Sequence, residues 1–476
     1  MSKLRPRSLQ SWIRTVTALS VMALLVGVLL FSAVAGAATS AEVGAPGTWS
    51  RVGFGIRTIS GQIGTVRTAD GMLHVVWSHG GAGTPWALFE TTVTPAGKVG
   101  VPTRILTNWS RIDDVAATAF KGRPLTVVFT GTKTDTTGDP TNGLNLATKT
   151  ASGWTVGSAA IYKTDFVGSS VPSIGFTRGG TLVQAWSANG EVLAHVGVDP
   201  NVPARKIGTG GNVTVAGWRE GVKSLSDQER LSIAWCGSGS QAGIHTFEFG
   251  ADPPLPMKQL GGSQTTRCAA ASRTAYTRNP NLGVDNPLAA ASVNSERRVL
   301  FWYNAQPPAV VAAGSGIKQQ VAADADENGR AWVGWRDATS GRLRLRRSNG
   351  GLTFGAVVST AIPPSQDAVY NLDLVAQNDR VDVIVRSTKG SAVSLYQTQM
   401  FPGLTVAATS KDRRVTITVT DAGDPVPGSS VRIGGRLLRT DKKGEATTDL
   451  PAGNYRVTAA KPKYVGATTS ARVKAV

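Results

Sequence analysis

"TVRTADGMLHVVWSHGG", residues 65–81, alternates apolar and polar positions on both sides of a polar, glycine-bearing turn and carries Trp77 near its end. Period-two alternation around such a turn predicts a β-hairpin. The same form returns at residues 115–131 ("VAATAFKGRPLTVVFTG"), 173–190 ("SIGFTRGGTLVQAWSANG"), 320–341 ("QVAADADENGRAWVGWRDATSG") and 372–390 ("LDLVAQNDRVDVIVRSTKG"). A copy at 213–239 fits with an enlarged turn, and the weakest, 268–292, lacks the aromatic. Aligned on their second arms, the copies share one slot, occupied by Trp77, Phe129, Trp186, Trp235, Trp335 and, in the last copy, Val385.

A third strand follows each hairpin ("WALFETTVT", "GLNLATKT", "GRLRLRRS") and a fourth follows in the first six copies ("VPTRILT", "GWTVGSAAI", "TFGAVVSTA"). Four short strands repeating at about 50 residues are the pattern of a β-propeller blade. The expected architecture is all-β: an about seven-bladed β-propeller over 47–402, followed by a small Ig/prealbumin-like β-sandwich over 404–476. The last copy has no fourth strand of its own, whereas "GTWSRVGFGI", from Gly47, is left over before the first. Lending that strand to the last blade would remove two unpaired edges. The shared aromatic slot is expected to pack between blades rather than to stack on a ligand.

The N-terminus sets the expected compartment. Lys3, Arg5, Arg7 and Arg14 precede an uncharged apolar run that ends in small residues, so 1–37 reads as a signal peptide, with an uncleaved membrane anchor as the alternative. A secreted or cell-surface, extracytoplasmic location follows. In that setting Cys236 and Cys268, the only cysteines, are expected to form a disulfide, since they fall on one rim in adjacent blades. Two cysteines and four histidines without clustering offer no metal site, and no cofactor motif is present. The formal charge of +19 falls to about +15 once the four leader charges are set aside. Such a field favours anionic partners. The basic residues are scattered rather than interleaved with aromatics, which argues against nucleic acid. A glycan, an anionic wall polymer or a protein at the cell surface is the expected partner, with membrane contact only through an uncleaved N-terminus.

Two resemblances add to this. From Leu404 the order "VTDAGDPVPGSSV", "TDKKGEA", "LPAGNYRV" resembles carboxypeptidase regulatory-like, prealbumin-like domains, which implies a structural or adhesive accessory module. "RRSNGGLTF", residues 346–354, resembles the Asp-box (BNR repeat) of sialidase-like propellers: Asn349, Gly350, Gly351, Thr353 and Phe354 match, with Asn349 in place of the aspartate and Arg347 in place of the leading serine or threonine. Partial echoes stand at Gly47-Thr48-Trp49 and Gly153-Trp154. The resemblance implies the scaffold; the box is a turn lock away from any reaction centre.

A sialidase-like site would need an arginine cluster, a tyrosine with a glutamate and a separate acid, and other glycosidases need two facing carboxylates. In a propeller these come from the rim where first strands begin and second strands end. That rule nominates Arg57, Arg111, Asp113, Asp114, Asp165, Arg219, Glu220, Arg267, Arg336, Asp337, Asp367 and Tyr370. His79, Trp109 and Phe166 join them because no repeat demands them. None forms a local constellation in sequence, and nucleophile-elbow, zinc-protease, P-loop and calcium-loop motifs are absent. The sequence therefore favours noncatalytic binding, with a sialidase-like glycoside hydrolase and a scaffolding subunit of an envelope complex as alternatives.

Overall fold

A computed structural model describes residues 47–475, apart from 54–61, 135–139, 158–161, 164–171, 218–230, 250–257, 264–273, 279–284, 294–296, 304–306 and the single positions 82, 121, 178, 262, 315, 327 and 378. The N-terminal apolar run lies outside the described residues. Among the described residues the chain is all-β, with one 3₁₀ turn at Gly239–Gln241.

Among the described residues, the strands up to Met400 build seven antiparallel sheets in chain order. The first holds Gly64–Arg67, Leu73–Gly81, Thr84–Val93 and Thr103–Trp109. The second begins Arg111–Phe120, Arg123–Thr134 and Pro140–Thr150, with Gly153–Val156 and Tyr162–Lys163 both on the last of these. The third to fifth open with Ser173–Phe176, Gly211–Ala216 and Thr274–Arg278. The sixth is Lys318–Ala325, Ala331–Asp337, Arg342–Arg347 and Val358–Ala361. The seventh is Ala368–Ala376, Val381–Lys389 and Ala392–Met400, and its outermost strand is Ser50–Gly53 from the other end of the chain.

The ring closes through its cores. Each pair of neighbouring sheets shares one apolar cluster, and the series ends with Val375 and Ile384 of the seventh sheet packed against Leu73, Val75 and Trp77 of the first. This explains the repeated slot: Trp77, Phe129, Trp186, Trp235 and Trp335 are each 1% exposed or less. Every one packs against the preceding sheet, Trp186 on Val128 and Leu144, for example, and Trp335 on Val299 and Phe301. The fit is close enough that a Cβ at Gly208 would run into the Trp235 ring.

Side chains stitch adjacent inner strands as well. Thr65 donates to Asp373, the Ala376 N–H to Asp324 at 2.8 Å, and the Val215 N–H to Ser173 at 2.8 Å. Between the first two sheets a buried ionic cluster forms around Glu90: His74 Nδ1 lies 2.5 Å from its carboxylate, Lys149 Nζ 2.7 and 2.9 Å, and Trp154 donates at 3.2 Å.

From Thr405 the chain builds two four-stranded sheets, Thr405–Lys411, Arg414–Asp421, Asp424–Pro425 and Glu445–Asp449 in one, Ser430–Ile433, Arg436–Arg439, Gly453–Ala460 and Ala467–Val473 in the other. They pack face to face over Val415, Ile417, Val419, Val431, Ile433 and Val457.

"RRSNGGLTF" joins the third and fourth strands of the sixth sheet. Asn349 Oδ1 accepts the Gly351 N–H at 3.2 Å, Ser348 Oγ accepts those of Gly350 and Ala331, and Gly350 has φ +86°, where glycine is favoured. Phe354 packs edge-on against Phe301 at 5.5 Å. Asn349→Ala removes one bond of this turn and is expected to lower stability by about 1 kcal/mol, read as a shift in thermal midpoint. Arg347 has its own role: it is buried against Asp421 of the C-terminal sandwich, and its guanidinium lies 5.5 Å from the Trp332 ring and 5.8 Å from that of Tyr464. Arg330 reaches Asp421 at 3.2 Å and Asp424 at 2.8 Å. The turn is thus the seat on which the C-terminal sandwich docks.

Candidate functional site

The inner strand of the second sheet and the second strands of the sixth and seventh sheets, with the backbone just before the first sheet, bring one group of polar groups together at the rim. In the second sheet the register shifts between Ile112 and Val115, a bulge at the position of Asp113 and Asp114. Asp114 is 2% exposed. Its Oδ1 accepts the Gln62 N–H at 2.7 Å, and its own N–H donates to Thr130 Oγ1 at 3.1 Å. Its Oδ2 is buried without a hydrogen-bond partner. Burial pushes this carboxyl up to about 6; the Gln62 N–H works against that, Asp113 adds to it, and the charges of Arg386 and Arg111 oppose it. Arg386, half-buried near the end of Val381–Lys389, is lowered by burial and raised by Asp114 and Tyr370. Arg336 of the sixth sheet leans toward the same place, its Nη1 donating to the Val369 carbonyl at 3.2 Å.

The remaining nominees divide by what they touch. Arg111 Nε pairs with Asp113 Oδ1 at 2.6 Å, both on the rim. Tyr370 is 55% exposed and lies within the field of Arg386. Asp337 caps a turn through the N–H groups of Thr339 and Ser340, both at 3.1 Å, and pairs with Arg344 at 3.0 Å. Asp367 holds the Gly390 N–H at 2.7 Å. Trp109 is buried, edge-on to Phe129 at 5.0 Å, so its ring is spent on sheet packing and is not presented to solvent. His79 sits beside Trp77 and Phe89, with burial lowering its pKa and Nδ1 left without a partner. Arg57, Asp165, Phe166, Arg219, Glu220 and Arg267 lie outside the described residues, as does Cys268. Cys236 is buried at the end of Leu231–Gly237, and among the described residues no cysteine is free.

Two members of the group were not nominated, Gln62 and Arg386. The signal for Arg386 was present: aligned on the aromatic slot, it stands directly under Arg336, one position after Val385 and Trp335 respectively. Gln62 donates through its backbone, which no side-chain pattern announces.

No family profile and no curated protein sequence matches this chain. Among solved structures it is similar to an α-L-arabinofuranosidase from Fusarium graminearum (10% identity, 75% of this chain and 98% of that one, TM-score 0.40). It is similar to the lectin SapL1 in complex with α-methyl fucoside (12% identity, 64% and 97%, TM-score 0.42) and to the Hadza microbial sialidase Hz136 (12%, 73% and 68%, TM-score 0.42). The likeness is one of fold and carries no residue of their sites over to this chain.

Proposed function

We propose that this is an exported, noncatalytic β-propeller protein of the cell surface whose rim recognises a carboxylated glycan or a similar anionic wall polymer through Arg336 and Arg386. The observation that supports it is how the described rim acids are spent. Asp337 and Asp367 cap turns and Asp113 pairs with Arg111, while Asp114 keeps one buried oxygen without a hydrogen-bond partner. A glycosidase needs two carboxyl groups at the reacting bond, whereas binding an anion needs arginines held in place by their surroundings. The seven-sheet ring, the Asp-box-like turn and a Cys236–Cys268 bond belong to the same reading, the last testable by mass spectrometry of non-reduced peptides.

The test is titration of the protein with oligogalacturonate and with a neutral oligogalactan of equal length, followed by calorimetry and by analysis of released products. The acidic oligomer is expected to bind and the neutral one not, with Arg386→Gln weakening binding about tenfold through loss of a charge-assisted hydrogen bond. Equal binding of both, or none, would overturn the reading.

Asp114 adds a pH dependence. With its pKa at about 6, it is neutral at pH 5 and mostly ionised at pH 7.5, while galacturonate keeps its charge at both. An anion beside it is therefore expected to bind about three- to tenfold more tightly at pH 5, and Asp114→Asn to erase the difference. The same raised carboxyl is suited to proton donation, which favours a glycoside hydrolase as second reading. In that case products appear, and Asp114→Asn abolishes them while leaving binding intact.

A further inference from the structure

The second sheet of the C-terminal sandwich, Arg436–Arg439, Ser430–Ile433, Gly453–Ala460 and Ala467–Val473, contains no aspartate or glutamate in any strand. Its inner face is apolar, with Val431, Ile433, Val457, Ala459, Ala471 and Val473 in the core, so strand alternation sends the intervening residues outward. Four of these are exposed arginines: Arg432, Arg439, Arg456 and Arg472.

Register orders three of them. Arg432 stands opposite Thr458, two residues from Arg456; Arg456 stands opposite Ser470, two residues from Arg472. Each arginine is thus the diagonal neighbour of the next, a separation of about 7–8 Å, and the three climb in a staircase across three strands. Hydroxyl and amide donors fill the steps: Thr458, Thr468, Ser470 and Asn454.

The opposite outer face of the same sandwich provides the contrast. There Lys411 and Arg414 are mixed with Asp449, which is in register with Arg414, and with Glu445, in register with Thr418. Ordinary solvated faces mix signs in this way, because like charges set side by side repel one another. An anion lying along an all-arginine staircase would relieve that repulsion.

We infer that this face binds a linear polyol-phosphate polymer, one phosphate per arginine, at a site separate from the propeller rim. The guanidinium fork matches phosphate oxygens in pairs, and hydroxyl donors between the forks complete the contacts. A phosphodiester repeat of six backbone bonds spans about 7 Å when extended, as two amino-acid residues do, which fits the step of the staircase. The outward face presents no aromatic ring for base stacking, which disfavours single-stranded nucleic acid of the same charge and repeat.

The experiment titrates the full chain with synthetic poly(glycerol phosphate), with oligothymidylate and with oligogalacturonate over a range of salt concentrations. Arg432→Gln/Arg456→Gln/Arg472→Gln keeps the side-chain stems and removes the staircase charge; Lys411→Gln/Arg413→Gln/Arg414→Gln removes as much charge from the other side. Poly(glycerol phosphate) is expected to bind tightest. The staircase variant should bind it at least tenfold more weakly at low salt and flatten the plot of log affinity against log salt by about two, since each phosphate contact adds about 0.7. The control variant should bind as the parent does. Equal weakening by both triple variants would mean net charge alone, weakening by Arg386→Gln alone would place the polymer at the rim, and a preference for oligothymidylate, or for oligogalacturonate, that the staircase variant abolishes would name another polymer; each result overturns the inference. Failure of the rim reading leaves this outcome untouched, because the two sites answer to different variants.

Discussion

Asp421→Ala is expected to lower the stability of the folded chain by about 4 kcal/mol, the range for removing one partner of a buried ion pair. Asp421 is 1% exposed and Arg347 3%, and the two meet across the joint between the sixth sheet and the C-terminal sandwich. Truncating the acid takes from the buried guanidinium, between Trp332 and Tyr464, the carboxylate it pairs with across the joint. Asp424, 40% exposed and paired with Arg330 at 2.8 Å, is the internal control: screening by water should hold the effect of Asp424→Ala to under about 1 kcal/mol. Arg347→Met/Asp421→Leu should recover most of the loss, since apolar side chains of similar size can replace a buried pair with little cost. Thermal denaturation of the three variants decides it. A loss in Asp421→Ala no larger than in Asp424→Ala would show that the joint is held by other contacts.

Glu90→Gln is expected to cost about 3–5 kcal/mol at neutral pH, because Lys149 and His74 would keep their donors and lose the charge they serve. Burial alone would raise the Glu90 pKa, but hydrogen bonds from His74 and Lys149 outweigh it and hold the group at about 2, below its ordinary 4.5. The sign follows from that depression. Above about pH 4.5 the carboxylate is ionised in both folded and unfolded chains, and its full contribution is present. As the pH falls toward 2 the unfolded chain takes up the proton first, and the contribution is lost over that interval. A depression from 4.5 to about 2 corresponds to about 3 kcal/mol. Denaturant titrations between pH 7 and 2 should show this loss in the parent protein and a flatter profile in Glu90→Gln. Parallel profiles would mean that Glu90 titrates normally.

The two acids illustrate different degrees of legibility. The repeat was readable because strand alternation and the aromatic slot are local and recur: "TVRTADGMLHVVWSHGG" already carries the apolar face that fills the gap to the preceding sheet. The leftover strand from Gly47 was readable because an edge without a partner is a cost the fold must remove, and Ser50–Gly53 now covers Ala392–Met400. Glu90 was not readable, since its partners Lys149 and Trp154 lie on the next sheet and follow no periodicity. Nor was the role of Arg347, which in sequence stands where the resemblance to an Asp-box calls for serine or threonine and in three dimensions is the buried half of a joint with Asp421.

The candidate site shows the same division. Residue types and strand ends nominated Arg111, Asp113, Asp114, Arg336 and Tyr370, because those depend on position along a repeat. Which carboxylates hold turns, and that Asp114 keeps a buried unpartnered oxygen in the field of Arg386, depended on neighbours from other sheets. By itself the sequence determined the all-β class, the order and repeat of the strands and the sign of the surface charge, since short-range alternation and composition set these. Only the tertiary structure decided which rings are buried, which acids are paired and which arginines share a face, because burial and pairing are properties of residues brought together from distant parts of the chain.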